Sequence, residues 1–100
     1  MEQFRIIIFP SAQNDLSDIV SYLNTLSNDA ALRYYDLITE KIEALSAMPE
    51  RYPLAKDVQL RLRGYRTLLV KNYIVFYIAN KRTVEVRRIL YARRQFDGLL

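Results

Sequence analysis

The chain has 100 residues, of which 51% are hydrophobic and 26% are charged. This length and composition are typical of one compact globular domain spanning residues 1–100, and they exclude wholesale disorder and a fibrous repeat. The chain contains no cysteine and no histidine, which excludes disulfides, thiolate or imidazole metal sites and a histidine general base. Any catalysis would therefore depend on Lys, Arg, Tyr, Asp or Glu.

The net charge of +4 is unevenly distributed along the chain. Residues 1–50 carry three basic and eight acidic side chains, whereas residues 51–100 carry twelve basic and three acidic ones. A basic half of this kind favours a polyanionic or acidic partner. The alternative interpretation is a solvated basic surface that only keeps the chain in solution.

No segment of the sequence has the pattern of a signal peptide or a membrane anchor. The apolar run near the N-terminus is too short for a signal peptide, and the longest uncharged apolar stretch, residues 73–79, is too short to cross a bilayer. We therefore expect a cytoplasmic protein with no membrane contact.

The first two predicted elements are a strand and a helix. Residues 4–9 are rich in β-branched and aromatic side chains and are ended by Pro10, which predicts a strand. Ser11 stands where a helix N-cap is expected. The apolar face of the following helix recurs at helical spacing and consists of Leu16, Ile19, Val20 and Leu23.

A second helix follows after a short turn. Ser27 or Asn28 is suited to cap it, and it should end before Pro49, because the residue preceding a proline avoids helical dihedrals. Two helices joined by so short a turn should form an antiparallel hairpin. The apolar stripe of this second helix is Ala31, Tyr34, Tyr35, Ile38, Ile42 and Leu45.

The rest of the chain predicts a loop and three strands. Residues 48–59 contain two prolines and no sustained period, so we expect a loop there. Turn signals at Asn72 and at residues 80–82 separate three runs rich in Val, Ile, Leu and aromatic residues, and such short connections permit only antiparallel neighbours. The three predicted strands are residues 65–71, 73–79 and 83–90, and residues 94–100 form a helical turn or a tail.

These elements predict an α+β fold with an N-terminal strand and an antiparallel helical hairpin, packed on a twisted, mainly antiparallel sheet that a three-strand meander completes. Helices on one face leave the other partly open, and its apolar and basic residues indicate a partner. The expected core is Leu16, Ile19, Leu23, Ile38, Ile42, Val75 and Val86.

Arginine and tyrosine side chains alternate on the predicted strands. Guanidinium groups bind phosphate and aromatic rings stack on bases, so this mixture suits RNA. The alternative is structural: tyrosines at the rim of the core, and Arg88 or Arg94 bound to a carboxylate such as Asp97 or to helix carbonyls. The arginines are Arg61, Arg63, Arg66, Arg87, Arg88, Arg93 and Arg94; the tyrosines are Tyr65, Tyr73, Tyr77 and Tyr91.

The acidic pairs of the predicted helices do not suggest a site. Asp15 with Asp18, and Glu40 with Glu43, are spaced as solvated helix surfaces. The sequence has no glycine-rich phosphate loop and no metal-ligand spacing, so we expect neither a cofactor nor a metal ion.

The second half of the chain resembles the RelE/ParE superfamily of bacterial toxins. The similar positions are a Gly-Tyr-Arg strand, an Asn-Tyr strand followed by aromatic residues, and a last strand ending in Arg-Ile-Leu, an aromatic residue and Arg. The helical hairpin and the two prolines before these strands also match. In this sequence the positions are Gly64, Tyr65, Arg66, Asn72, Tyr73, Phe76, Tyr77, Arg88, Ile89, Leu90, Tyr91 and Arg94.

This resemblance implies the toxin of a type II toxin-antitoxin module of the plasmid-stabilisation kind. The toxin would be neutralised in a hetero-oligomer by a cognate antitoxin whose disordered, often acidic segment folds onto its helices and open sheet face. One branch of the superfamily cleaves mRNA on the ribosome, and the other inhibits DNA gyrase.

The residues favour the gyrase-inhibiting, ParE-like branch. In the RNA-cleaving branch, the third strand resembles a Tyr-Arg pattern that supplies a catalytic arginine, whereas here Tyr73 is followed by Ile74. The strand before it carries spaced lysines in that branch, whereas here Arg66 is followed by Leu68. Losing these cations removes charge stabilisation that a ribonuclease needs. We predict target binding by Arg63, Arg66, Arg88, Tyr91, Arg93 and Arg94.

Two other functions stay open from the sequence. A ribosome-dependent mRNA endonuclease would use Arg66, Tyr91 and Arg94 at the phosphate. A third hypothesis is a toxin-like fold that has become a passive binding module.

Overall fold

One mixed sheet organises the computed structural model, which describes residues 3–93 and 99–100. Its strands are β1 (Arg5–Ile8), β2 (Tyr65–Val70), β3 (Tyr73–Asn80) and β4 (Thr83–Tyr91). Their order in the sheet is β1-β4-β3-β2, with β1 parallel to β4 and the other neighbours antiparallel. The N-terminal strand and the antiparallel meander predicted from the sequence are confirmed.

The two connections within the meander are tight hairpin turns. Val70 pairs with Tyr73 and Asn80 pairs with Thr83, so each turn has two residues. The first residue of each turn, Lys71 or Lys81, has a φ near +55°. A positive φ at this position is typical of the primed turns of two-residue hairpins, whose twist matches that of the strands. Both turns lie where the sequence predicted them.

Two long helices cover one face of the sheet. They are α1 (Pro10–Leu26) and α2 (Asn28–Glu43), and only Ser27 separates them. The Ser27 hydroxyl accepts a hydrogen bond of 3.2 Å from the amide of Ala30, which confirms the predicted cap of α2. With these helices, the predicted α+β class and helical hairpin are confirmed.

The main core lies between the hairpin and the sheet. Of the predicted core residues, only Leu16 is half-buried rather than buried, although it packs against the others. Tyr35 was predicted to face the core, which is wrong, because its side chain is 46% exposed. The preceding residue, Tyr34, packs edge-on against Tyr73 instead, and adjacent helical residues point in different directions. The confirmed core residues are Ile19, Leu23, Ile38, Ile42, Val75 and Val86.

The start of α1 differs from the sequence prediction. Ser11 was expected as N-cap, but the helix begins at Pro10 and Phe9 is the N-cap residue, without a side-chain hydrogen bond. Proline suits the first helical position because its fixed φ is helical and its missing N–H would be unpaired there anyway. The Phe9 amide instead donates to the carbonyl of Val86 at 2.9 Å, which extends the pairing of β1 with β4.

The predicted loop of residues 48–59 contains more regular structure than expected. A 3₁₀ turn spans Pro49–Arg51, and a short helix, α3 (Val58–Leu62), begins inside the range. The Asp57 carboxylate accepts a hydrogen bond of 3.1 Å from the amide of Leu60 and so caps α3. This five-residue helix is too short to show a periodic pattern, which is why the sequence did not reveal it.

The second face of the sheet is partly covered. A smaller apolar cluster forms there beneath α3, and Leu99 and Leu100 pack against it. The sequence prediction for residues 94–100 falls mostly on residues outside the described part of the chain. The buried members of the cluster are Ala55, Leu60, Tyr65, Phe76 and Leu90.

Tyr77 connects the core of the sheet to the 3₁₀ turn. Its ring is fully buried, and its hydroxyl donates a hydrogen bond to the carbonyl of Pro49. Burial, the largest cause, raises the pKa of Tyr77 to about 12. The neutral phenol is therefore the form that the folded state stabilises.

We expect Tyr77 to make the folded state sensitive to alkali. Its contribution is fully present below pH 10.0, the ordinary pKa of tyrosine, and is lost as the pH rises to about 12, because the unfolded chain ionises first. Two pKa units correspond to about 3 kcal/mol of unfolding free energy. Urea unfolding at pH 9 to 12 should show this loss, and Tyr77→Phe should flatten the slope. An equal slope in the two proteins would contradict the prediction.

Candidate functional site

Five of the six predicted target-binding residues lie in the described part of the chain, and they occupy three separate places. Arg63 and Arg88 lie near Leu99 and Leu100. Arg66 binds the segment before α3, and Tyr91 and Arg93 lie at the end of β4. The sixth residue, Arg94, lies outside the described residues.

Arg88 forms an ion pair with Asp15 of α1. Its guanidinium donates to both carboxylate oxygens, at 2.7 and 2.9 Å, and to the carbonyl of Leu99 at 2.8 Å. Both side chains are largely buried, with 18% and 11% of their surfaces exposed. The hydrogen bond to Asp15 is the main cause that raises the pKa of Arg88. The side chain thus joins β4 to the helix, in line with the structural alternative. The carboxylate is that of Asp15, and Asp97 lies outside the described residues.

Asp15 also completes the edge of the sheet. β1 ends at Ile8, opposite Val86, so the next part of β4 has no strand beside it. The amide of Ile89 donates to the Asp15 carboxylate at 2.9 Å and thereby finds a partner. The prediction that Asp15 belongs to a solvated helix surface is wrong, because its side chain is only 11% exposed. The carboxylate is held at the sheet edge, where the amide of Ile89 has no neighbouring strand and needs an acceptor.

Arg63 and Arg87 stack around the ring of Tyr65. Their guanidinium carbons lie 5.1 and 5.7 Å from the ring centre, and Arg87 also lies 4.6 Å from the ring centre of Phe9. Arg63 donates to the backbone oxygen of Leu100 at 3.1 Å. Arg87 was not among the residues predicted to bind the target; it follows Val86, whose side chain lies in the main core, so strand alternation places Arg87 on the second face. These cations surround one aromatic ring on the second face of the sheet.

Arg66 holds the chain that leads into α3. It donates to the carbonyls of Tyr52 at 2.6 Å and Glu50 at 3.2 Å, and lies 3.9 Å from the Glu50 carboxylate. Its side chain is only 20% exposed. Its donors are therefore largely used inside the protein.

Tyr91 and Arg93 are exposed at the opposite end of the sheet. Tyr91 is 44% exposed and its ring packs edge-on against Tyr73 at 5.8 Å, which in turn packs against Tyr34 at 6.0 Å. Burial is the main cause that raises the pKa of Tyr73, so its phenol is not suited to act as a base at neutral pH. This end of the sheet presents aromatic surface beside a cation.

Arg66 and Tyr91, the two described residues that were predicted for RNA cleavage, lie far apart in the sheet. Arg66 pairs with Tyr77 and Tyr91 pairs with Tyr73, so their partners lie four positions apart on β3. That separation is roughly 13 Å along a strand. Ile74 is half-buried beside the apolar cluster of the second face, and this position supplies no cation.

Residues 3–93 and 99–100 contain neither a cluster of metal ligands nor a membrane-spanning helix. No three acidic side chains in this part are grouped so that they could hold a metal ion. None of its helices has the length and apolar character needed to traverse a membrane.

A helical hairpin on a mixed four-stranded sheet, with cations and tyrosines on its outer surfaces, defines a small α+β domain suited to binding another macromolecule. The family described as the ParE toxin of the type II toxin-antitoxin system parDE matches residues 6–96, and the chain belongs to this family. The ParE-like resemblance in the sequence is confirmed.

A solved structure has a similar fold. A chain of the chromosomal ParDE toxin-antitoxin system from P. aeruginosa superposes with a TM-score of 0.77 and has 17% sequence identity. The match covers 91% of this chain and 98% of that chain. No curated protein matches the sequence.

Proposed function

We propose that this ParE-family toxin acts in the cytoplasm by inhibiting DNA gyrase without cleaving RNA. The observation that carries the proposal is the residue at position 74. The RNA-cleaving branch is expected to have a catalytic arginine there, whereas this chain has Ile74, which packs against an apolar cluster. The separation of Arg66 and Tyr91 along the sheet supports the same conclusion, because the groups that cleave RNA must all contact the same phosphate.

The exposed end of β4 is the surface that we propose for gyrase. Tyr91 offers an aromatic ring and Arg93 an exposed cation, and both residue types are frequent among the strongest contributors to protein interfaces. Arg63 adds a second exposed cation on the other face of the sheet. Arg66 and Arg88 support these surfaces from within, since their donors bind the protein itself.

We further propose that a cognate antitoxin neutralises the toxin in a hetero-oligomer, within a module that stabilises its plasmid or chromosomal locus. The hairpin exposes large apolar side chains that an amphipathic segment of such a partner can cover. These side chains, 46 to 67% exposed, are Tyr22, Leu26, Leu32 and Tyr35.

Induced expression in bacteria with pulse labelling tests the proposal. DNA synthesis should fall within minutes while protein synthesis continues, and the purified chain should inhibit supercoiling by gyrase. An early fall in protein synthesis would instead support mRNA cleavage. Normal growth in the presence of folded protein would support a passive binding module, and either result would overturn the proposal.

We expect Arg93→Glu to weaken gyrase inhibition about tenfold, the loss that corresponds to about 1.4 kcal/mol of binding energy. Stability should change by less than about 0.5 kcal/mol, because the side chain is exposed. Titration of supercoiling inhibition and urea unfolding measure the two effects. Lys81→Glu makes the same charge change in the turn at the other end of β4 and should leave inhibition unchanged. Equal losses in both variants would show that only net charge matters.

A further inference from the structure

A small pocket lies between α1 and the end of β4. It has a volume of about 180 Å³, below the range of roughly 300 to 1,000 Å³ that drug-sized ligands occupy. The space therefore suits one long side chain and is too small for a nucleotide. Buried aliphatic side chains of α1 and β4 form part of its wall, and its polar and aromatic residues are Asp15, Asp18, Tyr22, Tyr73 and Tyr91.

Three tyrosine rings give the pocket its aromatic surface. Tyr73 is buried and packs edge-on against Tyr91, with 5.8 Å between the ring centres, while Tyr22 lines the pocket from α1 and is 61% exposed. Burial is the largest cause that raises the pKa of Tyr73, and the phenols of Tyr34, Tyr22 and Tyr91 contribute next, so these groups lie close together. The electron-rich faces of such rings attract cations.

A carboxylate beside these rings adds a negative charge. α1 contains Asp15 and Asp18 but no lysine or arginine. The Asp15 carboxylate is bound by Arg88, whereas Asp18 is exposed and takes part in no ion pair between described residues. Asp18 and Tyr22 are four positions apart, which makes them neighbours on the helix surface. The combination of aromatic faces and this carboxylate favours a cationic ligand.

The chemistry of the pocket favours a guanidinium over an ammonium ion. A guanidinium is planar, stacks on aromatic rings and donates two parallel hydrogen bonds to a carboxylate, whereas an ammonium ion is compact and strongly hydrated. The chain itself contains the same kind of contact, since the guanidinium carbon of Arg87 lies 4.6 Å from the ring centre of Phe9. An arginine side chain is therefore the expected occupant.

Charge and position indicate which partner supplies the arginine. An acidic antitoxin segment would bring carboxylates towards Asp18 and be repelled. Tyr91, in contrast, belongs both to this pocket and to the surface proposed for gyrase. Arg93 is an exposed cation two positions further along, so this surface presents charges of both signs and can select one orientation of the target.

We propose that the pocket binds an arginine side chain of the target protein, with its guanidinium against the rings of Tyr22 and Tyr91 and hydrogen-bonded to Asp18. The inference rests on the proposed function in one respect, since gyrase is the protein that supplies the arginine. The pocket thereby contributes to the choice of target.

A pair of short peptides is the probe for the pocket. Acetyl-Gly-Arg-Gly-amide carries the guanidinium, and the same peptide with citrulline in place of arginine has nearly the same shape without the charge. In NMR titrations of the full chain at millimolar peptide, the arginine version should shift the ring signals of Tyr22, Tyr73 and Tyr91. The citrulline version should bind at least tenfold more weakly.

Asp18→Asn tests the carboxylate with almost no change of shape. Because Asp18 is exposed, the variant should fold normally and bind the arginine peptide about tenfold more weakly. Asp36→Asn is the matched control, because it removes the same charge from an exposed position of α2 outside the pocket and should leave binding unchanged. Tyr22→Leu keeps an apolar side chain but removes the ring, and it should weaken binding at least threefold.

Supercoiling assays test whether the arginine belongs to gyrase. About tenfold more Asp18→Asn protein should be needed for the same inhibition, whereas Asp36→Asn should behave like the unmodified chain. A saturating concentration of the arginine peptide should relieve the inhibition, and the citrulline peptide should not.

Three results would overturn the inference: no binding of the arginine peptide, equal binding of the citrulline peptide, or unchanged binding by Asp18→Asn. Tetramethylammonium that binds more tightly than the arginine peptide would assign the pocket to a free organic cation and would also contradict it. Weakened peptide binding with unchanged gyrase inhibition in Asp18→Asn would show that gyrase does not supply the arginine. A chain that binds the peptide but never inhibits gyrase would overturn the proposed function, and with it the source of the arginine, while supporting the pocket itself.

Discussion

Asp15→Ala should lower the free energy of unfolding by about 3 to 5 kcal/mol, the loss expected when one partner of a buried ion pair is removed. The guanidinium of Arg88 would remain largely buried without its carboxylate, and the amide of Ile89 would lose its acceptor. Urea or thermal unfolding of the purified variant measures the effect. We expect growth inhibition to fall with the amount of folded protein.

Asp18→Ala is the matched control for Asp15→Ala. Asp18 lies one helical turn further along α1 but is exposed, so its removal should change stability by less than about 0.5 kcal/mol. A double-mutant cycle with Arg88→Met should return a coupling of at least about 1 kcal/mol between Asp15 and Arg88. Additive effects in this cycle would show that the two side chains stabilise the fold independently, contrary to the structure.

Ile38→Ala should cost about 2 to 5 kcal/mol, because the side chain is fully buried between the hairpin and the sheet. A loss of this size is a large fraction of the stability of a chain of this length. The midpoint of urea unfolding should fall, with an unchanged slope. A loss below about 1 kcal/mol would mean that the core collapses around the smaller side chain.

Leu32→Ala is the matched control on the same helix. Leu32 is 60% exposed, so the same deletion of side-chain atoms should leave stability nearly unchanged. This pair of variants also matters for function. Growth inhibition lost in Ile38→Ala reflects unfolding, whereas a change confined to antitoxin binding in Leu32→Ala would support the proposed use of the hairpin surface.

The main architecture could be predicted from the sequence because it depends on periodic patterns. The 3.6-residue spacing of Ile19, Leu23, Ile38 and Ile42 identified the faces of both helices, and short turns between apolar runs imposed the meander. The elements that the sequence missed are short or lack a period. α3 has five residues, and the pairing of residues 53–55 with β2 contains a proline.

The candidate site was less predictable, because the sequence does not show which charges meet. Arg66, Arg88 and Arg93 have the same chemistry, but Arg66 binds backbone carbonyls, Arg88 binds a carboxylate 73 positions earlier, and Arg93 is exposed. The position of Asp15 depends on where β1 ends relative to β4, which is a property of the folded sheet. Residue type alone therefore could not separate structural arginines from those available to a partner.

The parallel pairing of β1 with β4 also has a consequence for synthesis on the ribosome. β1 is synthesised before the other three strands, but within the described residues the strand that it pairs with is β4, the last of the four to be made. The helical hairpin and the β2–β3 hairpin can form earlier from local contacts, whereas β1 must wait for β4. We therefore expect a nascent chain that lacks β4 to be incompletely folded, so that the four-stranded sheet and the surface at the end of β4 form only after β4 has been translated.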